Sequence, residues 1–167
     1  QNTIIHSQVQ GWRTKAEVDR LKNDVDVLII DSPPHAESEA KIAIRAADLV
    51  LVPLQPPPMD IWASKPTFDL ADNEGSPVQV ILNRVDTRTN LTSQMIEKLD
   101  MMDVIIGKQP LGSRVAFASS MLDGLGVVET EPSSVAAKEI SSLVVSLTKD
   151  LSIKLPKKSK RVSKKAA

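Results

Sequence analysis

The residues best placed to do chemistry lie at positions 26–34, Asp-Val-Leu-Ile-Ile-Asp-Ser-Pro-Pro, where an aliphatic run ends at Asp31. The four aliphatic residues 27–30 predict a buried strand of a parallel sheet, and Pro33 and Pro34 prevent the strand from continuing. Such a strand carries Asp31 to the sheet edge where open α/β folds bind ligands. A carboxylate there is suited to hold the water shell of Mg²⁺ beside phosphate groups. The structural alternative is an aspartate that only caps the strand end.

A second polar group follows the aliphatic run 78–82, where the sequence continues Asn83-Arg84-Val85-Asp86. This spacing is similar to the Asn-Lys-x-Asp motif with which GTPases read guanine, in which the aspartate accepts hydrogen bonds from the base edge. A loop that contacts a base and a polar turn that only leaves the sheet both account for these residues.

Composition excludes several kinds of chemistry. The sequence of 167 residues contains no cysteine, so disulfides, iron–sulfur clusters, thiolate metal sites and cysteine nucleophiles are excluded. With 41% hydrophobic residues but only two Trp and two Phe, the core of a single domain must be aliphatic. No apolar run approaches the length of a transmembrane helix, and the first residues have no signal-peptide pattern, which favours a cytoplasmic protein without membrane contact.

The formal net charge of zero is the sum of an acidic segment and a basic segment. Residues 154–167 carry seven basic side chains and no acidic one, which leaves a net charge of −7 for residues 1–153. We therefore predict a folded domain over residues 1–153 and a disordered basic tail over residues 154–167, which is too rich in Lys and Ser to pack. Such a tail either adds salt-sensitive DNA affinity or only improves solubility.

Aliphatic runs alternate with segments of helical periodicity along the domain. We expect strands at residues 26–31, 49–54, 78–82 and 104–106, with Val127-Val128 as a last edge strand. We expect helices at residues 14–23, 37–47, 90–101, 113–122 and 133–151, and a further helix capped by Asp60. The predicted fold class is α/β, a mostly parallel sheet with helices on both faces.

The order of these segments resembles the ParA/MinD family of partition ATPases, and most closely its short, plasmid-type ParA members. The run that ends at Asp31 is similar to the family's second acidic motif, and residues 80–86 are similar to its late strand and base-side loop. Further likeness is carried by Ala46-Ala47-Asp48-Leu49-Val50-Leu51-Val52-Pro53-Leu54-Gln55-Pro56, by Asp60-Ile61-Trp62-Ala63, and by Ser113-Arg114-Val115-Ala116-Phe117-Ala118 with Asp123-Gly124-Leu125. The resemblance implies a P-loop NTPase-like fold of the deviant Walker A class.

The resemblance also implies a function. Members of the family bind ATP and Mg²⁺, form a homodimer around two nucleotides, and bind DNA non-specifically when loaded with ATP. A ParB-like partner stimulates hydrolysis, and the cycle moves plasmids or chromosomal cargo, which would place this protein on the nucleoid in the cytoplasm.

Site residues follow from the same resemblance. Asp31 is implied as the catalytic carboxylate that holds Mg²⁺ through water, Pro33 and Pro34 as part of the loop that senses the γ-phosphate, and Asn83 and Arg84 as neighbours of an adenine base. The DNA-binding residues implied by resemblance and by basic charge are Arg114, Lys157, Lys158, Lys160 and Arg161. For Arg114 the alternative is a solvated surface arginine.

One part of the family pattern is not found in this sequence. The family opens with a strand, a Lys-Gly-Gly-x-Gly-Lys-Thr phosphate loop, a helix and a strand carrying Asp-x-Asp, whereas no pair of the six glycines here brackets a Gly-Lys-Ser/Thr. We therefore expect that an N-terminal βαβ unit is missing, that the chain is truncated, and that alone it does not hydrolyse ATP, because that loop cradles the phosphates.

Two alternatives remain, one from a different functional class and one from the same NTPase superclass. The chain is then a non-catalytic ParA-like remnant that binds DNA or a full-length partner, or another relative of the superclass such as a cobyrinate-type amidating enzyme. An iron-protein reductase is excluded because the sequence has no cysteine.

Overall fold

The computed structural model describes residues 4–32, 37–56, 58–86 and 90–153. Several predicted positions lie outside these ranges: Pro33, Pro34, Lys157, Lys158, Lys160 and Arg161, together with the whole tail predicted over residues 154–167. The roles assigned to them stay predictions.

Three parallel strands form the sheet in the described part of the chain: β1 (Val50–Leu54), β2 (Val78–Leu82) and β3 (Ile105–Ile106), in the order β1-β2-β3. Val52 of β1 lies beside Val80 of β2 in the register. β1 is apolar throughout, and β2 is apolar except for Gln79, which suits strands that are covered on both faces. The parallel sheet predicted from these runs is confirmed.

Seven α-helices accompany the sheet within the described ranges: α1 (Arg13–Leu21), α2 (Glu37–Ala46), α3 (Pro58–Asn73), α4 (Leu91–Asp100), α5 (Val115–Ser120), α6 (Val127–Thr130) and α7 (Val135–Asp150). A 3₁₀ turn, Met121–Asp123, follows α5, and Gly124 ends it in a left-handed conformation with φ of +67°. None of the helices in these ranges is long and apolar enough to cross a membrane.

The structure differs from the sequence prediction at α6 and at the start of α3. The edge strand predicted at Val127-Val128 is wrong, because these residues start α6, where Glu129 Oε2 accepts the N–H of Gly126 at 2.8 Å. Asp60 is not the cap of α3, which begins at Pro58, a residue that lacks the N–H that a first turn leaves unpaired. The Asp60 carboxylate instead accepts the backbone N–H of Gln55 at 3.0 Å.

The main core lies between one face of the sheet and the helices α3 and α4. Alternate residues of β1 and β2 point to this face, and their partners are apolar side chains of the two helices; the buried set is Val52, Leu54, Ile61, Phe68, Val80, Leu82, Val85, Met95 and Leu99. With one aromatic member, this core is aliphatic, as the composition predicts.

The opposite face carries Gln79 and Ile81 of β2, which are both buried. Gln79 Nε2 donates to Asp150 Oδ2 at 3.4 Å, so the end of α7 reaches this face and helices lie on both sides of the sheet. The cover is less complete here, since Leu51 is 43% exposed and Ile105 is 64% exposed.

The strand predicted at residues 26–31 is wrong. The described residues 25–32 contain neither helix nor strand, and none of them forms a backbone hydrogen bond with another described residue. Val27 is 53% exposed and Ile29 is 87% exposed. An aliphatic run becomes a strand only where a neighbouring strand pairs with its backbone N–H and C=O groups, and no described strand pairs with this one.

Candidate functional site

A loop folded against the carboxyl end of β2 builds the candidate site. The N–H of Leu111 donates to Leu82 O at 2.8 Å, and the N–H of Val85 donates to Leu111 O at 2.9 Å. The N–H of Ser113 then donates to Val85 O at 3.0 Å, and Val85 forms a parallel bridge with Gly112. These bonds continue the ladder beyond β2, so the loop is held rigidly at the edge where open α/β sheets bind ligands.

A cavity of about 340 Å³ lies at this edge. Val85 and Pro110 provide apolar wall, and Asp86, Gln109, Ser113, Arg114 and Glu139 provide polar groups. Small-molecule sites typically start at about 300 Å³ and combine apolar walls with a few fixed polar groups. The volume of this cavity lies at the lower end of that range, and polar groups predominate in its lining.

Arg114 and Glu139 form the charged wall of the cavity. Arg114 Nη2 lies 2.6 Å from Glu139 Oε1, and Arg114 Nε donates to Glu139 Oε2 at 2.9 Å. The same Oε2 accepts the N–H of Gly112 at 3.2 Å. The hydrogen bonds from Arg114 lower the pKa of Glu139, and partial burial opposes this; the hydrogen bond to Glu139 raises the pKa of Arg114. Both groups stay charged at neutral pH.

Gly112 allows the guanidinium to approach the loop closely. A Cβ at this position would lie 3.1 Å from the Cζ, Nε and Nη2 atoms of Arg114. A larger residue at position 112 would push the guanidinium away, so the arginine fits against a glycine as well as against Glu139.

Asn83 and Arg84 shape the turn and are not among the residues that line the cavity. The N–H of Asn83 donates to Leu54 O at 2.7 Å, and Asn83 Oδ1 accepts the N–H of Arg84 at 2.9 Å. Arg84 is exposed and has a φ of +54°, a conformation that this hydrogen bond helps to hold. The last two residues of the motif Asn83-Arg84-Val85-Asp86, Val85 and Asp86, line the cavity.

Asp31 lies apart from this wall. It is exposed, it belongs to neither helix nor strand, and it is not among the cavity residues. Among the described residues, no group of three His, Cys, Asp or Glu side chains could hold a metal ion. A single carboxylate can assist Mg²⁺ only when phosphate oxygens supply further ligands, so Asp31 would need a bound nucleotide to complete a metal site.

Five cavity residues are not among the site residues that the sequence predicts: Gln109, Pro110, Gly112, Ser113 and Glu139. Ser113 belongs to a segment that the family resemblance covers, so that segment was a signal for it. Glu139 lies on α7, and no spacing in the sequence connects it with Arg114.

The sheet, its helices and the cavity at its carboxyl edge define a P-loop NTPase-like α/β fold. The structure is similar to the crystal structure of the Pyrococcus furiosus cell division ATPase MinD, with a TM-score of 0.71 over 84% of this chain and 59% of that chain. The sequence identity is 20%, so this likeness shows the fold alone.

Sequence comparison gives relatives among curated proteins. The chain is 22% identical over 110 residues to the maintenance of carboxysome distribution protein A of Halothiobacillus neapolitanus, and 28% identical over 108 residues to a putative septum site-determining protein MinD of Emiliania huxleyi. Each alignment covers 62% of this chain, and 51% and 40% of the two relatives. Plasmid partition protein A of Escherichia coli is 36% identical over 47 residues, 28% of this chain and 12% of that protein.

The chain is related to the ParA/MinD family of partition ATPases. It spans about half the length of the curated relatives it matches, or less. No protein-family model matches the sequence.

Proposed function

We propose that this chain is part of the nucleotide-binding domain of a ParA/MinD-like ATPase that positions a cargo in the cell. The observation that supports the proposal most directly is the cavity of about 340 Å³ at the carboxyl edge of the parallel sheet, in a fold similar to that of a MinD ATPase. In open α/β folds this edge is the usual ligand site.

The proposed ligand is ATP with Mg²⁺, and its base occupies the cavity. Pro110 lies beside the base, while Asp86, Gln109 and Ser113 offer hydrogen bonds to its edge. When bound, ATP with Mg²⁺ supplies the phosphoryl-transfer energy that drives the cycle. Asn83 and Arg84 hold the turn that places Asp86, and Asp31 remains the proposed Mg²⁺-shell carboxylate.

The phosphate end of the nucleotide needs groups that this sequence does not contain. It has no Gly-Lys-Ser/Thr loop, so backbone N–H groups and a lysine for the phosphates have to come from elsewhere. We propose that the 167-residue chain alone binds nucleotide weakly through its base and does not hydrolyse ATP.

The remaining steps of the cycle are proposals of the same kind. They comprise homodimerisation with ATP, a stimulating partner of the ParB type, and non-specific DNA binding on the nucleoid by Arg114 and by the basic residues 157–161. The names of the relatives support a positioning role, since they concern carboxysome distribution, septum site determination and plasmid partition.

Fluorescent-ATP anisotropy with and without Mg²⁺ tests the nucleotide site. We expect a Kd of about 0.1 mM, because a base and ribose contribute roughly 0.3 kcal/mol per non-hydrogen atom. Mg²⁺ is expected to change this Kd little, and adenosine is expected to compete with the fluorescent ATP as well as unlabelled ATP does. Ser113→Trp fills the cavity and is expected to abolish binding, whereas Ser142→Trp adds the same side chain on an exposed part of α7.

Three outcomes would contradict the proposal in different ways. Tight, Mg²⁺-dependent binding by this chain would show that it does supply a phosphate site. Binding that Ser113→Trp leaves unchanged would show that the base does not occupy the cavity, and complete absence of adenine-nucleotide binding would favour the non-catalytic remnant.

A further inference from the structure

The arginine implied in DNA binding is already engaged by a carboxylate of its own chain. Both Nε and Nη2 of Arg114 are bound by Glu139, at 2.9 and 2.6 Å, and 37% of the Arg114 side chain is exposed. A guanidinium uses the same planar fork to bind a phosphate. While it is paired with Glu139, Arg114 cannot use its Nε/Nη2 edge for DNA and keeps only the N–H groups of Nη1 and the second N–H of Nη2.

Glu139 is itself held in place. Its side chain is 15% exposed, and its Oε2 also accepts the N–H of Gly112. Gly112 is bridged to Val85 at the end of β2, so the acceptor position is tied to the sheet. The pair joins α7 to the cavity loop, and its geometry is more defined than that of a pair between two mobile surface side chains.

We propose that Glu139 acts as an internal competitor for phosphate at Arg114, so that DNA engages the Nε/Nη2 edge of this arginine only in molecules in which the pair has opened. This rests on the proposed DNA-binding role of Arg114. The physical argument is that a ligand's apparent affinity is reduced by the fraction of molecules in the competent state, and a two-bond, partly buried ion pair holds that fraction to about one third or less. Glu139 is thus a regulatory residue, and the DNA affinity of the resting chain lies below what its arginine can provide.

Equilibrium binding to a fluorescent 40-base-pair duplex of random sequence, measured by anisotropy at several salt concentrations, tests the proposal. Glu139→Gln keeps the shape of the side chain and removes its charge. We expect about three- to fivefold tighter DNA binding, the range that a pair of this kind can restrain. We also expect the slope of log K against the logarithm of the salt concentration to be steeper by about 0.9, the value for one additional phosphate contact.

Two further variants separate this effect from a general change of charge. Glu131→Gln removes one negative charge from an exposed side chain in the turn between α6 and α7, without touching Arg114, and is expected to change the affinity much less. Arg114→Ala in the Glu139→Gln background is expected to abolish the gain. Thermal unfolding of each variant identifies any that does not fold; Glu139→Asp, which is too short to keep both bonds, then provides a second test with the charge retained.

The outcomes distinguish failure of the inference from failure of the DNA-binding proposal. Weaker DNA binding by Glu139→Gln would show that Glu139 orients Arg114 for DNA and would overturn competition. A gain that persists without Arg114, or one that Glu131→Gln matches, would also overturn it. If Arg114→Ala changes DNA binding in neither background, or no variant binds DNA, the arginine has no DNA role and both proposals fail.

Discussion

Glu74 shows how one carboxylate fastens two helices together. It follows α3, its side chain is 8% exposed, and it forms ion pairs with Arg45 and, at 3.0 Å, with Lys41. Both cations lie on α2, so the contact fixes this helix against the end of α3. The hydrogen bonds from Arg45 and then from Lys41 lower the pKa of Glu74 from its ordinary value of 4.5.

This lowered pKa predicts a pH dependence of stability. A carboxyl whose pKa is lower in the folded than in the unfolded chain stabilises the fold above its unfolded pKa, and this contribution is lost as the pH falls through the folded pKa. Urea unfolding of the native chain and of Glu74→Gln should therefore differ most near pH 7, and the difference should shrink as the pH falls below 4.5. Asp69→Asn breaks the exposed Lys65–Asp69 pair and is the control, with a smaller effect expected. A Glu74→Gln difference that stays constant from pH 7 to pH 3 would contradict this assignment.

At the scale of the elements, a single side-chain hydroxyl caps the N-terminus of α7. Ser134 Oγ accepts the N–H of Ala137 at 3.1 Å, which satisfies one of the donors that the first turn leaves unpaired. Ser134→Ala is expected to reduce the free energy of unfolding by about 1 kcal/mol. Ser142→Ala, on an exposed position of the same helix, should change it by no more than about 0.5 kcal/mol. Equal effects of the two substitutions in urea unfolding would show that the cap does not stabilise α7.

The elements that the sequence predicts correctly depend on local signals. The segments that become β1 and β2 are apolar except for Gln79, and α7 has a serine cap before its apolar positions. The run at residues 26–31 has the same local signal, yet strand formation also needs a partner, and pairing is not encoded in the run itself. Val127-Val128 is too short for its periodicity to distinguish a strand from a helix.

Some residues of the candidate site can be predicted from the sequence, and others cannot. Asp86 and Arg114 lie in segments that the family resemblance marks, and both line the cavity. Glu139 was not predicted, because its contact with Arg114 joins positions 25 residues apart through the packing of α7. Spacing along a chain identifies side chains that share one element or one loop, but it does not identify contacts that tertiary packing creates.

At the scale of the whole molecule, the charge is divided between two parts of the sequence. Residues 1–153 carry a net charge of −7, and residues 154–167 carry seven basic side chains without an acidic one. An acidic body repels DNA phosphates, so any affinity for DNA has to come from local basic groups. Arg114 and the tail are two such groups, and they differ in that Arg114 is restrained by Glu139.

Removal of residues 154–167 tests how much of the DNA affinity comes from the tail. Each phosphate contact by a basic side chain contributes about 0.9 to the slope of log K against log salt, so loss of seven such side chains should make the slope shallower by up to about 6. A full-length variant with all seven replaced by Gln keeps the chain length and should match the truncated chain. The Glu139→Gln gain should survive truncation, because it arises in the body of the protein. An unchanged slope after truncation would mean that the tail makes no phosphate contacts and only improves solubility.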